Sequence, residues 1–66
     1  MADIRFERHG SIVLMRAESI TGQEWLDDVV DAILATWWHG SIVMESRFAG
    51  EIAAGASRDG LSIAWT

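Results

Sequence analysis

The chain has 66 residues, half of them apolar and four of them tryptophan, with ten acidic residues against five arginines and a net charge of −5. A length of this order makes one domain, spanning residues 1–66, that buries only about 60% of its unfolded surface, so leftover apolar surface makes a homodimer a candidate. The charge is the wrong sign for neutralising phosphates, which argues against direct DNA or RNA binding, and the right sign for attraction to basic protein surfaces. Cysteine is absent, which removes disulfide staples and thiolate chemistry and suits a reducing cytoplasm. No apolar run approaches the roughly 20 residues needed to cross a bilayer. The opening MADIRFERHG is charged and lacks the apolar stretch of a signal peptide, so the expected place is the cytoplasm.

Residues 3–8 alternate, with Ile4 and Phe6 on one side and Asp3, Arg5 and Glu7 on the other, the period of a half-buried strand. His9-Gly10 supplies a turn in which glycine provides the positive φ that tight hairpins need. Residues 11–16, SIVLMR, are apolar on both faces and read as an inner strand covered on two sides.

Thr21, followed three residues later by Glu24, matches a capping box and predicts a helix over residues 22–36. Trp25, Leu26, Val29, Val30, Ile33 and Leu34, continuing to Trp37, form its apolar face. Residues 41–45 alternate again as a strand. Beyond Arg47, the three- and four-residue spacing of Phe48, Ile52, Gly55 and Ala56 predicts a second helix, in which Gly50 and Gly55 offer close approach to the sheet. Asp59-Gly60 ends it, glycine being the usual residue just past a helix C-terminus. Residues 61–65 form a last short strand. The fold class expected is α+β, in the order β-β-α-β-α-β: one small mixed sheet with two helices packed on one face. Its last β-α-β unit should be a right-handed crossover between parallel strands.

HGSIV occurs twice, at residues 9–13 and 39–43. After the pentapeptide the copies diverge, so the repeat reads as one turn-into-strand solution used twice. Two histidines without cysteine are too few for a closed metal site, and no metal or cofactor is expected. Ser, His and acids are present without a G-x-S-x-G elbow or a glycine-rich phosphate loop, and one thin layer pair has little room to enclose a substrate. No catalytic residues are assigned, and enzymatic activity is not expected.

The first helix carries the informative charge pattern. At 100° per residue, Glu24, Asp27, Asp28 and Asp31 fall within an arc of about 100°, opposite the apolar face. No arginine interrupts them. Glu24/Asp28 and Asp27/Asp31 are like-charge pairs at i,i+4, each costing about 0.2–0.5 kcal/mol. Only first-turn acids recover about 0.3–1 kcal/mol from the helix dipole. These four residues are candidates for binding a basic partner. Trp38 is a candidate interface anchor, since an extended chain at Trp37-Trp38 turns one ring inward and the other outward. A tryptophan-rich mini-core would instead take both rings under the sheet and leave Trp65 as the exposed one.

IRFERHGSIVLM (residues 4–15), WWHGSIVMESRF (37–48) and GASRDGLSI (55–63), with the central TGQEWL, resemble a group of short phage- and prophage-encoded proteins. The resemblance spans nearly the whole chain and carries no catalytic motif. It implies a small inhibitor of host defence in the bacterial cytoplasm, anti-CRISPR in class, that uses DNA-like charge to occupy the basic groove of a type I CRISPR effector complex. The alternative is a homodimeric phage accessory protein that binds another protein through apolar surface.

Overall fold

In a computed structural model of the chain, residues 2–32 and 36–66 are described, the side chains of 30–32 and 36 excepted. The elements are β1 (Ile4–His9), β2 (Ile12–Ala17), α1 (Ile20–Ala32), β3 (Thr36–Trp38), β4 (Ser41–Glu45), α2 (Ser46–Arg58) and β5 (Ile63–Trp65). The strands make one sheet in the order β3-β4-β2-β1-β5. It is antiparallel except at β1–β5. The fold is therefore α+β with one mixed sheet and two helices, as expected, and has one strand more than the sequence suggests.

The core follows from strand alternation. Ile4, Phe6, Val13, Met15, Ile42 and Met44 all point to one side, where they pack with Leu26 of α1 and Ala49, Ala53 and Ala56 of α2. Phe6, Ile4 and Met15 are fully buried, and each such side chain contributes about 1.5–3 kcal/mol. Both helices thus cover the same face. Among the described residues nothing covers the opposite face, and this corrects the expectation for β2. That strand lies between two others, but only its Val13/Met15 side is covered; Ile12 is 39% exposed and Leu14 half-buried.

The extra strand, β3, lies where a helical spacing was expected to run on to residue 36. The chain is already extended at Thr36 and pairs with β4 from Thr36↔Val43 to Trp38↔Ser41. Two adjacent tryptophans suit a pleated edge, and the following His-Gly makes the hairpin turn. Ile33 and Leu34, expected on the helical face, lie outside the described residues.

The duplicated pentapeptide turns in two frames. In the first copy His9 pairs with Ile12, so Gly10-Ser11 forms the loop, with positive φ at Gly10 alone, as in a type II′ turn. In the second, Trp38 pairs with Ser41, so His39-Gly40 forms the loop, with positive φ at both residues (48° and 78°), as in type I′. A one-residue shift exchanges the faces. Val13 is buried and Ile12 exposed in the first copy, whereas Ile42 is buried and Val43 half-buried on the bare side in the second.

α2 is a helix where expected, but its buried face is turned. Ala49, Ala53 and Ala56 are inside, Ile52 is half-buried, and Phe48 is 46% exposed. Three alanines let this helix lie close to the sheet; phenylalanine at the interface would hold it off. Gly60 (φ 90°) closes the helix. The Gly60 N–H donates to Ser57 O (3.0 Å) and the Leu61 N–H to Ala56 O (3.0 Å), a Schellman motif that buries Leu61.

Gly50 and Gly55 do not serve close packing, because a Cβ at either would meet nothing within 4 Å. Gly22 does: a Cβ there would lie 2.1 Å from the Asp3 carbonyl oxygen. Gly22→Ala should therefore destabilise the fold by at least about 1–3 kcal/mol, the usual cost of overpacking. Gly50→Ala, exposed within a helix, should stabilise it by about 0.5–1 kcal/mol. Urea denaturation of the two variants checks the opposite signs.

Candidate functional site

Two surfaces stand out, and one anchor near the N-terminus positions the first. α1 begins at Ile20, two residues before the expected start, because Ser19 rather than Thr21 caps it. Ser19 Oγ accepts the Gly22 N–H at 2.9 Å and donates to Asp3 Oδ1 at 2.6 Å. Asp3 Oδ2 accepts the Ser62 N–H at 2.9 Å, and the Asp3 carbonyl accepts the Glu18 N–H at 2.8 Å. One residue thus joins the start of β1, the cap of α1 and the approach to β5. The Ser19 cap prevails over Thr21 because Asp3 holds it from outside the helix, a tertiary contact that the local Thr21–Glu24 pattern does not have. One turn further along α1, Trp25 Nε1 donates to Asp59 Oδ2 at 2.8 Å, tying α1 to the close of α2.

This earlier start changes the electrostatics of the acidic residues. The first turn of α1 now holds no acid, so Glu24 falls outside the region where the dipole helps most. Glu24, Asp27 and Asp28 are all exposed. Among the described residues none of the three pairs with an arginine. Asp27 Oδ1 accepts a hydrogen bond from Gln23 Nε2 at 2.9 Å. Asp31 is in the same helix, but its side chain lies outside the described residues. Leu26 is buried on the opposite side. Ile20, 82% exposed, lies four residues before Glu24 and so heads the acidic stripe, a feature the capping-box reading hides by placing the residue outside the helix.

The second surface is the bare side of the sheet. Across β1 and β2 it is polar: Arg5 Nε to Glu18 Oε1 (2.8 Å), Arg16 Nη2 to Glu7 Oε1 (3.4 Å) and His9 Nε2 to Glu7 Oε2 (3.5 Å). Arg5 and Arg16 face one another across β1 and β2, and the two glutamates offset their repulsion. Toward β4 and β3 the face becomes apolar. His9, Ile12, Leu14, Val43 and Trp38 line an open depression of about 300 Å³.

Trp38 lies outward on this face, 56% exposed, with the His39 ring edge-on at 4.3 Å. Trp37, one residue earlier, falls on the helix side yet is 47% exposed, because β3 is an edge strand. The expectation that both rings pack under the sheet is therefore overturned, while Trp65 is exposed as expected. Trp65 is the least exposed of these three at 37%; it stacks on Phe6 (4.7 Å between centroids) beneath the Arg8 guanidinium at 4.5 Å.

His9 and His39 sit at turns at opposite ends of the sheet. Among the described residues no group of three or more His, Asp or Glu is placed to hold a metal ion, and no described helix is long and apolar enough to cross a membrane. No protein-family model matches the chain, and neither a curated protein nor a solved structure matches it.

Hydrogen bonds from Ser19 and Ser62 hold the Asp3 carboxyl below the usual carboxylate range. A lowered folded-state value means that the ionised group stabilises the fold fully above about pH 4–5, and that this contribution fades as pH falls through the folded value. Asp3→Asn should unfold at lower temperature than the parent at neutral pH, and the difference should shrink as pH falls below the ordinary carboxylate range of about 4. Thermal melts across that range, followed by circular dichroism, check the convergence.

Proposed function

We propose that the chain is a small acidic binding protein whose α1 face docks on the basic, nucleic-acid-binding surface of a protein partner. On this reading it is an inhibitor of anti-CRISPR type, acting in the bacterial cytoplasm on the DNA groove of a type I effector complex. The observation that carries the reading is the stripe itself: exposed carboxylates at Glu24, Asp27 and Asp28, none paired with arginine among the described residues and none in the first turn of the helix. Such an arrangement costs the helix stability through its i,i+4 repulsions, and a basic partner would turn that cost into affinity.

Scale supports the reading. Glu24 to Asp31 spans about 10 Å at 1.5 Å per residue, and one DNA strand presents a charge about every 3.4 Å, so the stripe matches roughly three phosphates. Ile20 adds an apolar contact at one end, which a purely electrostatic docking would lack. Trp38 belongs to the other surface and is not part of this contact. The choice of inhibitor class rests on the resemblance of IRFERHGSIVLM, WWHGSIVMESRF and GASRDGLSI to short phage-encoded proteins.

A pull-down from bacterial lysate, with the chain as bait and washes at low and then moderate salt, tests the proposal. A nucleic-acid-binding complex should be recovered at low salt and lost progressively as salt rises. The variant combining Asp27→Arg with Asp28→Arg should fold normally and bind that complex at least about tenfold more weakly, and Ile20→Ser should weaken it with little change in salt dependence. Undiminished capture by the charge-reversed variant, insensitive to salt, would overturn the reading.

A further inference from the structure

The charges of this chain are segregated by face. On the bare side of the sheet and at its margin, three acids and three arginines are joined in pairs: Arg5 with Glu18, Arg16 with Glu7, and Arg47 with Glu45 at 2.9 Å. That face is balanced, so the whole net charge of −5 lies elsewhere, much of it on α1, which has four acids and no basic residue. Two copies approaching through their helical sides meet strong like-charge repulsion. Two copies approaching sheet to sheet do not.

The same face carries the apolar depression. Ile12 and Leu14 of β2 lie opposite Glu45 and Val43 of β4, and Trp38 rises from β3 at one rim. We propose that this face is a homodimer seam, with a second copy of the chain as its occupant. In an isologous pair, each residue's contact is repeated by symmetry. With the two-fold axis near the Leu14–Val43 pair, each copy's Trp38 seats in the other's depression, against Ile12 and Leu14. Tryptophan is the residue most often found as such an anchor.

Size sets the strength. Five strands at about 4.8 Å spacing and six residues at about 3.3 Å give a face of roughly 24 by 20 Å, in keeping with the 27 × 23 × 21 Å extents of the molecule. That is smaller than the roughly 800 Å² per partner of a standard stable interface, which fits a weak, concentration-dependent dimer. Sheet-to-sheet pairing leaves both α1 helices outward. The seam does not depend on what α1 binds.

Sedimentation equilibrium of the whole chain over a concentration series is the test. The weight-average mass should climb from 7.3 kDa toward twice that value, and the association should persist at about 0.5 M salt, where exposed charges are screened beyond about 4 Å. Trp38→Arg and Ile12→Arg, both at exposed positions, should keep the parent circular dichroism and raise the dissociation constant about 30-fold or more. Phe48→Ser, and the charge reversal at Asp27 and Asp28, should leave it unchanged. A chain that stays at monomer mass to about 1 mM overturns the proposal. So does a dimer that moderate salt or Phe48→Ser dissolves, or one that both arginine variants leave intact.

Discussion

Asp3 is the residue on which the arrangement turns. Its carboxylate accepts from the α1 cap and from the approach to β5, and its carbonyl accepts from Glu18 while standing where a Gly22 side chain would be. A short helix resting on a few buried side chains has little to fix its rotation about its own axis. Here the first turn is clamped against the start of β1, with Leu26 facing the core and Trp25 hydrogen-bonded to Asp59. The outward direction of Glu24, Asp27 and Asp28 is a consequence of that clamp. The electrostatics of α1 are thus set by an acid on a different element.

Much of the fold is legible in the sequence because period and turn chemistry agree. The alternation through Ile4 and Phe6, the Gly60 stop and the apolar face with Leu26 each have one reading. The misplacements share a cause: a local signal that a more distant contact overrules. Thr21–Glu24 is a sound capping pattern, but Ser19 has Asp3 behind it. The helical spacing through Trp37 runs into residues that the His39-Gly40 turn draws into a hairpin. On α2, Phe48 is by size the natural core residue, yet the gap between helix and sheet accepts alanine. That gap is a property of the assembled layers and cannot be read from the spacing of apolar residues.

The candidate surfaces are legible to different degrees. The acidic arc needs only the helical period, and Glu24, Asp27 and Asp28 are exposed on α1 as expected. The apolar depression is hidden, because the apolar run of β2 mimics a strand covered on both sides. Its location depends on which face two helices choose, and both choose the same one. The sequence marks Trp38 as an anchor, but its setting beside Ile12 and Leu14 emerges only from strand order. The result is a molecule with a charged helical side and a neutral, partly greasy sheet side, a division that leaves each side suited to a different kind of neighbour.

The two HGSIV copies bear on how such a chain finds its pairing. The same five residues accept both loop frames, so neither hairpin is locked by its own loop. During folding, β1–β2 has the His-Gly frame available to it, and β3–β4 the Gly-Ser frame. Either slip would send isoleucine where valine belongs, or the reverse, and the layers above would reject it. Fidelity of strand alignment in this protein is therefore imposed by the assembled interior and not by the loops themselves.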